Sequence, residues 1–196
     1  LLEAAKIEAG VALRFEQVDL DKLLKEEQHR VKLERPGVNF VVQGETLLID
    51  ADRSGLLSIA RNIIQNALKA TGSSGTIVTN TTRIVLDDTD FVQLDIANSG
   101  ATIPKDERER IFERLVRLKS TATTQEGSGL GLSIARGYAM QHGGDVTYIP
   151  GRGSCEEVRD SAGHLIRLGS CFRITLPITQ PNDDLVDTAE ESGSKN

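Results

Sequence analysis

Three polar side chains in the segment after Asp52 recur at the spacing of a helix. Asn62, Asn66 and Lys69 lie four and three residues apart, so they share one stripe of an α-helix. Carboxamide oxygens suit Mg²⁺, which keeps several of its waters, and a lysine ammonium suits the phosphates that accompany the ion. A solvated polar helix face would show the same spacing, so both interpretations stay open at this point.

A glycine-rich turn, residues 127–132, runs directly into a second helical segment. Glycine permits close approach of the backbone, and a helix N-terminus presents unpaired N–H groups with a partial positive charge, so a phosphate is the natural ligand. The turn lacks the spacing of a Rossmann unit, and no Gly-Lys-Ser or Gly-Lys-Thr sequence completes a P-loop. It therefore favours a phosphate site outside those two nucleotide-binding folds.

A polar turn lies between these two clusters, at the end of a predicted strand. Residues 98–104 read Asn-Ser-Gly-Ala-Thr-Ile-Pro. Such a turn can place a hydrogen-bonding side chain against the edge of a base, and Gly100 would let the ring approach. An ordinary surface loop has a similar composition, so the turn alone does not identify a site.

Apolar periodicity and turn residues predict the helices that must position these groups. Asp19 can cap a helix that runs to about residue 35, and Asp52 can cap the strongest helix of the chain, which reaches residue 70. Further helices are predicted over residues 1–9, 104–114 and 127–141.

Runs of apolar and β-branched residues predict the strands. Residues 76–86 and 91–97 flank a polar turn in the pattern of an antiparallel hairpin. Residues 38–42 and 46–49 suggest a second hairpin or two closely spaced edge strands. The other extended segments are residues 11–18, 145–149 and 171–176. This order of elements predicts an α+β fold, a two-layer sandwich whose mostly antiparallel sheet is covered by helices on one face.

Composition restricts the classes of function. The 23 Lys and Arg stand against 29 Asp and Glu, a net charge of −6, so no basic field would attract nucleic acid or anionic lipid. No run of about 18 apolar residues predicts a membrane span, and we expect a cytoplasmic domain with no membrane insertion. The two cysteines do not form a CxxC pair, so neither a zinc site nor a disulfide framework is predicted.

Five motifs in this order resemble the catalytic domain of histidine kinases, within the wider group of ATPases that includes gyrase, the Hsp90 chaperones and MutL. The matching segments are the N box at residues 61–71, the first glycine box at 98–104, the F box at 111–117, the second glycine box at 127–132 and the closing strand at 169–177. The resemblance implies the Bergerat type of ATP-binding sandwich, with ATP and Mg²⁺ as cofactors.

The resemblance also implies a role for individual residues. Asn66 would coordinate Mg²⁺, Asn62 would assist through phosphate or metal-bound water, and Lys69 would contact phosphate. Arg117 would reach the phosphates from a lid at residues 117–127, completing the catalytic set. The implied nucleotide-binding residues are Asn62, Asn66, Lys69, Asn98, Gly100, Thr102, Gly127, Ser128, Gly129, Leu130, Gly131 and Leu132.

Asn98 is the main departure from the family pattern, because the family usually has an aspartate there that recognises the adenine amino group. A carboxylate only accepts hydrogen bonds, whereas a carboxamide also donates. Loss of the charge-assisted bond would cost about 1 to 2 kcal/mol, and Thr102 in place of a second glycine would narrow the pocket. We therefore expect weak ATP binding or relaxed base selectivity. Asp95 should point away from the pocket by strand alternation.

The reaction type follows from Asn62. Hydrolytic members of the wider group carry a glutamate at this position, and an amide is a poor general base, so transfer to a protein acceptor is favoured over hydrolysis. None of His29, His142 and His164 is followed by an acidic residue, so the phosphoacceptor histidine is expected on a separate dimerisation domain. A response regulator receiver domain would then take the phosphate. The alternative is a nucleotide-binding regulatory or pseudokinase module.

The resemblance, together with the polar and acidic composition of the C-terminal residues, predicts three segments. Residues 1–10 would be the end of a dimerisation helix with its linker, residues 11–178 the catalytic ATP-binding domain, and residues 179–196 a disordered acidic tail or linker. Residues 151–168 are longer than the usual hairpin of such domains, and we expect them to form a solvated loop.

Overall fold

The computed structural model describes residues 12–116 and 128–180. In this part of the chain, three α-helices cover one face of a five-stranded sheet, and a two-stranded sheet lies beside them. The helices are α1 (Leu20–Glu34), α2 (Arg53–Thr71) and α3 (Gly131–Gln141). The strands are β1 (Phe15–Asp19), β2 (Asn39–Gly44), β3 (Leu48–Asp52), β4 (Thr76–Leu86), β5 (Thr89–Asn98), β6 (Asp145–Pro150) and β7 (Ser170–Pro177).

The five-stranded sheet has the order β2-β4-β5-β7-β6. Strand β2 pairs in parallel with β4, and the other pairings of this sheet are antiparallel. The predicted hairpin is β4–β5, which turns at Asp87 and Asp88 with φ of 47° and 60°. These features confirm the predicted two-layer sandwich. None of the described helices is both long and apolar enough to cross a membrane.

Of the two arrangements predicted for residues 38–42 and 46–49, the structure shows two closely spaced edge strands and not a hairpin. Strand β2 lies along β4, and β3 pairs instead with β1 in the smaller sheet. At the end of β2, Gly44 adopts a φ of 97°, and a Cβ atom there would lie 2.2 Å from the carbonyl oxygen of Thr81. The N–H of Glu45 then donates to the same oxygen over 2.8 Å. The chain is therefore held against β4 where a hairpin would have to reverse it.

Helix α2 has one buried side and one polar side. Its buried residues facing the core include Leu56, Ile59, Ile63 and Ala67. Asp52 caps the helix, as predicted, since its carboxylate accepts the N–H of Gly55 over 2.8 Å. This cap and this apolar stripe fix the direction in which the polar side of α2 points.

The predicted helix over residues 104–114 is wrong. The segment forms two short 3₁₀ turns, Lys105–Glu107 and Arg110–Phe112. Ile111 and Phe112 are both buried, and Phe112 meets the ring of Phe172 edge-on at 6.2 Å. Two adjacent apolar anchors do not form the stripe that a packed α-helix requires. Phe112 is thus a core anchor.

Residues 151–168 form a largely exposed loop, as predicted, and the buried Cys155 and Leu168 of this loop also cover part of the outer face of the sheet. Asp95 points to this face, as strand alternation predicts, and is completely buried. Its carboxylate accepts two hydrogen bonds from Arg173, each of 2.8 Å, and the N–H of Ser154 over 2.6 Å. We call these bonds between Asp95, Arg173 and Ser154 the latch. Around the latch lies a second apolar cluster formed by Val78, Ala97, Cys155, Leu168 and Cys171.

The two cysteines are structural members of this cluster. Both are buried free thiols. Burial raises the pKa of the Cys155 thiol to about 12 and also raises that of Cys171. Both side chains therefore stay protonated near neutral pH and act as small apolar groups.

Asp95→Asn should lower the free energy of unfolding by roughly 2 to 4 kcal/mol, because it leaves the Arg173 guanidinium without its buried counter-charge. Urea denaturation measures this change, and limited trypsin digestion should cut residues 151–168 faster. The matched control is Asp90→Asn on the same strand, whose partner Arg83 is exposed. Equal stability of Asp95→Asn and the unsubstituted chain would contradict the latch.

Asp52→Asn tests the cap of α2. Burial alone would raise the pKa of the Asp52 carboxyl, but hydrogen bonds from Ser54, Arg14 and Gly55 outweigh it and hold the pKa below the ordinary value of an aspartate. Because the folded pKa lies below the unfolded one, the stabilisation is present above about pH 4 and is lost as the pH falls through the folded pKa. At pH 7 the variant should lose roughly 0.5 to 1.5 kcal/mol of stability.

Urea denaturation from pH 7 to pH 3 checks this prediction, and the stability gap between the two proteins should narrow below about pH 4. Asp106→Asn is the control, since that exposed carboxylate has no hydrogen bond within the described residues. A gap that stays constant over the whole range would be the contrary result.

Candidate functional site

The polar stripe of α2 and the start of α3 lie side by side. The amide nitrogen of Asn62 donates to the Ser58 carbonyl oxygen over 2.9 Å, which orients the carboxamide. Its oxygen is turned towards α3, and a Cβ atom on Gly131 would lie 3.0 Å from that oxygen. The structure therefore brings together two clusters that are separated by about a third of the chain.

Asn66 and Lys69 extend the same stripe towards the C-terminus of α2. The Asn66 side chain is partly exposed and has no hydrogen-bond partner within the described part of the chain. Lys69 is exposed in the last turn of the helix, and none of the described acidic groups pairs with it. A carboxamide oxygen and an ammonium group are thus both available to a ligand lying along α2.

The N-terminus of α3 has the properties of an anion site. No described side chain caps this helix, so the N–H groups of its first turn are available, and the helix dipole favours negative charge there. Gly129 adopts a φ of 70° just before the helix. The Ser128 hydroxyl accepts the N–H of Leu130 over 3.3 Å. Leu130 is buried and Leu132 packs on the core, so both hold the turn in place.

Asn98 is the last residue of β5 and points to the helix side of the sheet. Its side chain is almost fully buried, with 1% exposed. The amide nitrogen has no hydrogen-bond partner among the described residues. A buried donor left without an acceptor costs about 1 to 3 kcal/mol. The position thus has the character of a ligand contact, because a bound acceptor would remove that cost.

Gly100 joins the turn after β5 to the end of α2. A Cβ atom on Gly100 would lie 2.7 Å from the Ala70 Cβ atom, 2.8 Å from the Ala70 carbonyl oxygen and 2.6 Å from the Asn98 amide nitrogen. Any larger residue would displace one of these groups. Ala70 follows Asn66 by one helical turn, so the contact places the Asn98 carboxamide beside the end of the polar stripe.

Hydrogen bonds to the neighbouring strands hold the turn after β5. The Thr102 hydroxyl donates to the Gly169 carbonyl oxygen over 2.8 Å, and the Ser170 hydroxyl donates to the Ala101 carbonyl oxygen over 2.7 Å. The Tyr148 hydroxyl accepts the N–H of Ile103 over 2.9 Å. These bonds fix the turn before any ligand is bound.

Sequence reasoning did not identify Ala70, Tyr148 and Ser170 as part of this arrangement. Ala70 was available from the helical spacing, since it lies four residues after Asn66. The roles of Tyr148 and Ser170 depend on the pairing of β6 with β7, for which the sequence carries no local signal. Arg117 and Gly127 lie outside the described residues, as do residues 1–11.

Together these groups form a row along α2, and we call the surface that they share the cleft. Asn62 and Ala70 are eight residues apart, which is about 12 Å along the helix axis. The free N-terminus of α3 lies at one end, Asn66 and Lys69 follow, and the orphaned amide of Asn98 lies at the other. An anion site and a base-edge donor at that separation fit a nucleoside triphosphate, with the phosphates at α3. Carboxamide oxygens between them fit Mg²⁺.

The family is established by comparison with known proteins. Residues 51–180 match the family described as histidine kinase-, DNA gyrase B-, and HSP90-like ATPase. This match covers more than half of the chain. The chain belongs to this family of ATP-binding domains.

Curated relatives include kinases from two bacterial genera. The chain is 27% identical to the adaptive-response sensory kinase SasA of Prochlorococcus marinus (strain MIT 9303) over 181 residues, which is 92% of this chain and 41% of the relative. It is 33% identical to the signal transduction histidine-protein kinase/phosphatase MprB of Mycobacterium leprae (strain TN) over 144 residues, or 74% of this chain and 27% of the relative. The chain thus spans less than half of each relative.

Two solved structures that contain histidine kinase ThkA share the fold of this chain. The catalytic domain of histidine kinase ThkA superposes with a TM-score of 0.66 and 26% identity, covering 86% of this chain and all of that one. ThkA in complex with the response regulator protein TrrA superposes with a TM-score of 0.63 and 24% identity, covering 91% of this chain and 47% of that one. Because the identity to the ThkA–TrrA complex is as low as 24%, that comparison is evidence for the fold alone.

Gly100→Ala should damage both stability and the cleft. The added methyl group would overlap Ala70 and the Asn98 amide, and overpacking of this kind costs roughly 1 to 3 kcal/mol. Urea denaturation should show the loss, and calorimetry should show weaker binding of a non-hydrolysable ATP analogue. Ala101→Ser, at the exposed neighbouring position, is the control and should change neither. Full stability of Gly100→Ala would show that the contact with α2 is looser than described.

Proposed function

We propose that this chain is the catalytic domain of a protein-histidine kinase. It binds Mg²⁺ and ATP and transfers the γ-phosphate to a histidine on a separate dimerisation domain, within two-component signal transduction. The observation that carries the proposal is the packing of the uncapped α3 N-terminus against Asn62, at the head of the polar stripe of α2. Relatives that are named kinases do not favour the pseudokinase alternative.

Each residue of the stripe has a role that follows from its surroundings. Asn66 offers a free carboxamide oxygen to Mg²⁺, and Lys69 offers positive charge to a phosphate. The first turn of α3 holds phosphate oxygens through backbone N–H groups. Bound Mg²⁺ would supply further neutralisation of phosphate charge. A contact from Arg117 remains a prediction from the family resemblance.

The site suits transfer better than hydrolysis. Hydrolysis needs a base that takes a proton from water, and Asn62 is an amide whose nitrogen is already bonded to the Ser58 carbonyl oxygen. Transfer needs only an incoming imidazole nitrogen in line with the γ-phosphorus, as the bond to the ADP oxygen breaks. Positioning and electrostatic stabilisation provide most of the catalysis in such a reaction.

The proposed acceptor lies on a separate domain. His142 is buried, and its Nε2 accepts the N–H of Asp52 over 3.1 Å, so it serves the fold. His29 and His164 are exposed, and neither is followed by the acidic residue expected beside an acceptor. We further propose a response regulator as the next acceptor, which the ThkA–TrrA complex supports, and a cytoplasmic location. The proposed boundaries are residues 1–10, 11–178 and 179–196.

Asn66→Ala should weaken Mg²⁺-dependent binding of a non-hydrolysable ATP analogue by roughly tenfold or more, since a ligand to a charged group is worth about 1.5 to 3 kcal/mol. Isothermal titration calorimetry with and without Mg²⁺ measures the effect. Gln65→Ala is the matched control, because Gln65 is exposed on the same helix and outside the stripe. Equal binding by both variants would remove Asn66 from the site.

Phosphotransfer is tested by adding a purified dimerisation domain from a relative together with labelled ATP. The expected product carries phosphate that is labile in acid and stable in base, which is characteristic of phosphohistidine. Nucleotide binding without any such product on several dimerisation domains would favour the regulatory module. Rapid Mg²⁺-dependent hydrolysis without an acceptor would instead favour a conformational ATPase.

A further inference from the structure

The Asn98 carboxamide is a polar group of the cleft that the protein itself leaves unsatisfied. Its side chain is 1% exposed, and its amide nitrogen has no partner within the described chain. Neighbouring polar groups of the same turn are already engaged. The Ser99 hydroxyl accepts the N–H of Thr76 over 2.9 Å, and the Thr102 hydroxyl donates to Gly169.

We infer that Asn98 makes this nucleotide site accept 6-keto purines as well as adenine. The inference rests on the proposed function, because it requires a nucleotide in the cleft along α2. No hydrogen bond from the described protein fixes which end of the carboxamide faces a ligand. The side chain can therefore present its oxygen or, after a half-turn about its last bond, its nitrogen.

The two orientations match the two kinds of purine edge. With adenine, the Asn98 oxygen accepts from the 6-amino group and the nitrogen donates to a ring nitrogen. With guanine or hypoxanthine, the nitrogen donates to the 6-keto oxygen and the oxygen accepts the ring N–H. A carboxylate at this position offers only acceptors, so it would repel the 6-keto oxygen. Residue 98 is thus a specificity-determining position.

The surroundings of Asn98 favour recognition of the base edge by its carboxamide, held in one position by the turn. Gly100 and Ala70 border the carboxamide, and neither has a polar side chain that could add a second preference. The turn is anchored to β6 and β7 through Tyr148 and Ser170. Base selectivity should accordingly respond to the chemistry of residue 98 with little contribution from movement of the loop.

Calorimetric titration with ATP, GTP and inosine triphosphate, each with Mg²⁺, tests the inference on the whole chain. Inosine triphosphate has the 6-keto group without the 2-amino group of guanine, so it separates edge recognition from exclusion by size. We expect its Kd to lie within about fivefold of that for ATP. Asn98→Asp should weaken the binding of inosine triphosphate. The ratio of the Kd for inosine triphosphate to the Kd for ATP should therefore rise about tenfold or more.

Asn98→Leu is a second variant of similar volume that needs no buried charge, in case Asn98→Asp does not fold. It should weaken ATP and inosine triphosphate by similar factors. Selective ATP binding that neither substitution alters would overturn the inference while the proposed function stands. Failure of all three nucleotides to bind the unsubstituted chain would overturn both.

Discussion

The two-sided character of α2 is the constraint on which the structure depends. Over the same five turns the helix must bury Leu56, Ile59 and Ile63 against the sheet and keep Asn62 and Asn66 on a surface that a ligand can reach. The geometry of the helix fixes its N-cap, its apolar stripe and its polar stripe relative to one another. Once the apolar side is packed, the direction of the carboxamides follows, and α3 completes the cleft by packing beside them.

Local signals account for what could be predicted from the sequence. The caps Asp19 and Asp52, the spacing of the α2 stripe and the β4–β5 hairpin all depend on residues that are close in the chain. The parallel pairing of β2 with β4 and the latch between Asp95 and Arg173 join distant segments, and no short pattern marks them. Two 3₁₀ turns replace the helix predicted after Pro104, because the packing of Ile111 and Phe112 decides the conformation of that segment.

The same division applies to the site. The residues that we propose to bear the chemistry could be selected from type and spacing, because carboxamides, an ammonium group and glycines are informative in themselves. The residues that hold these groups in place could not be selected in this way. Ala70 contributes a methyl group and a carbonyl oxygen beside Gly100, while Tyr148 and Ser170 act through strands that meet only in the folded sheet. A cleft that is preformed in this way depends as much on such unremarkable residues as on those that touch a ligand.

One backbone contact bears on how this domain can diversify. The N–H of Leu115 donates to the Gly129 carbonyl oxygen over 3.0 Å, so the chain is pinned at both sides of residues 117–127. Closing a longer loop costs only about 0.6 kcal/mol for each doubling of its length. The pinned ends therefore separate the stability of the domain from the length and composition of what lies between them. The framework can therefore stay unchanged while the sequence between these two ends varies.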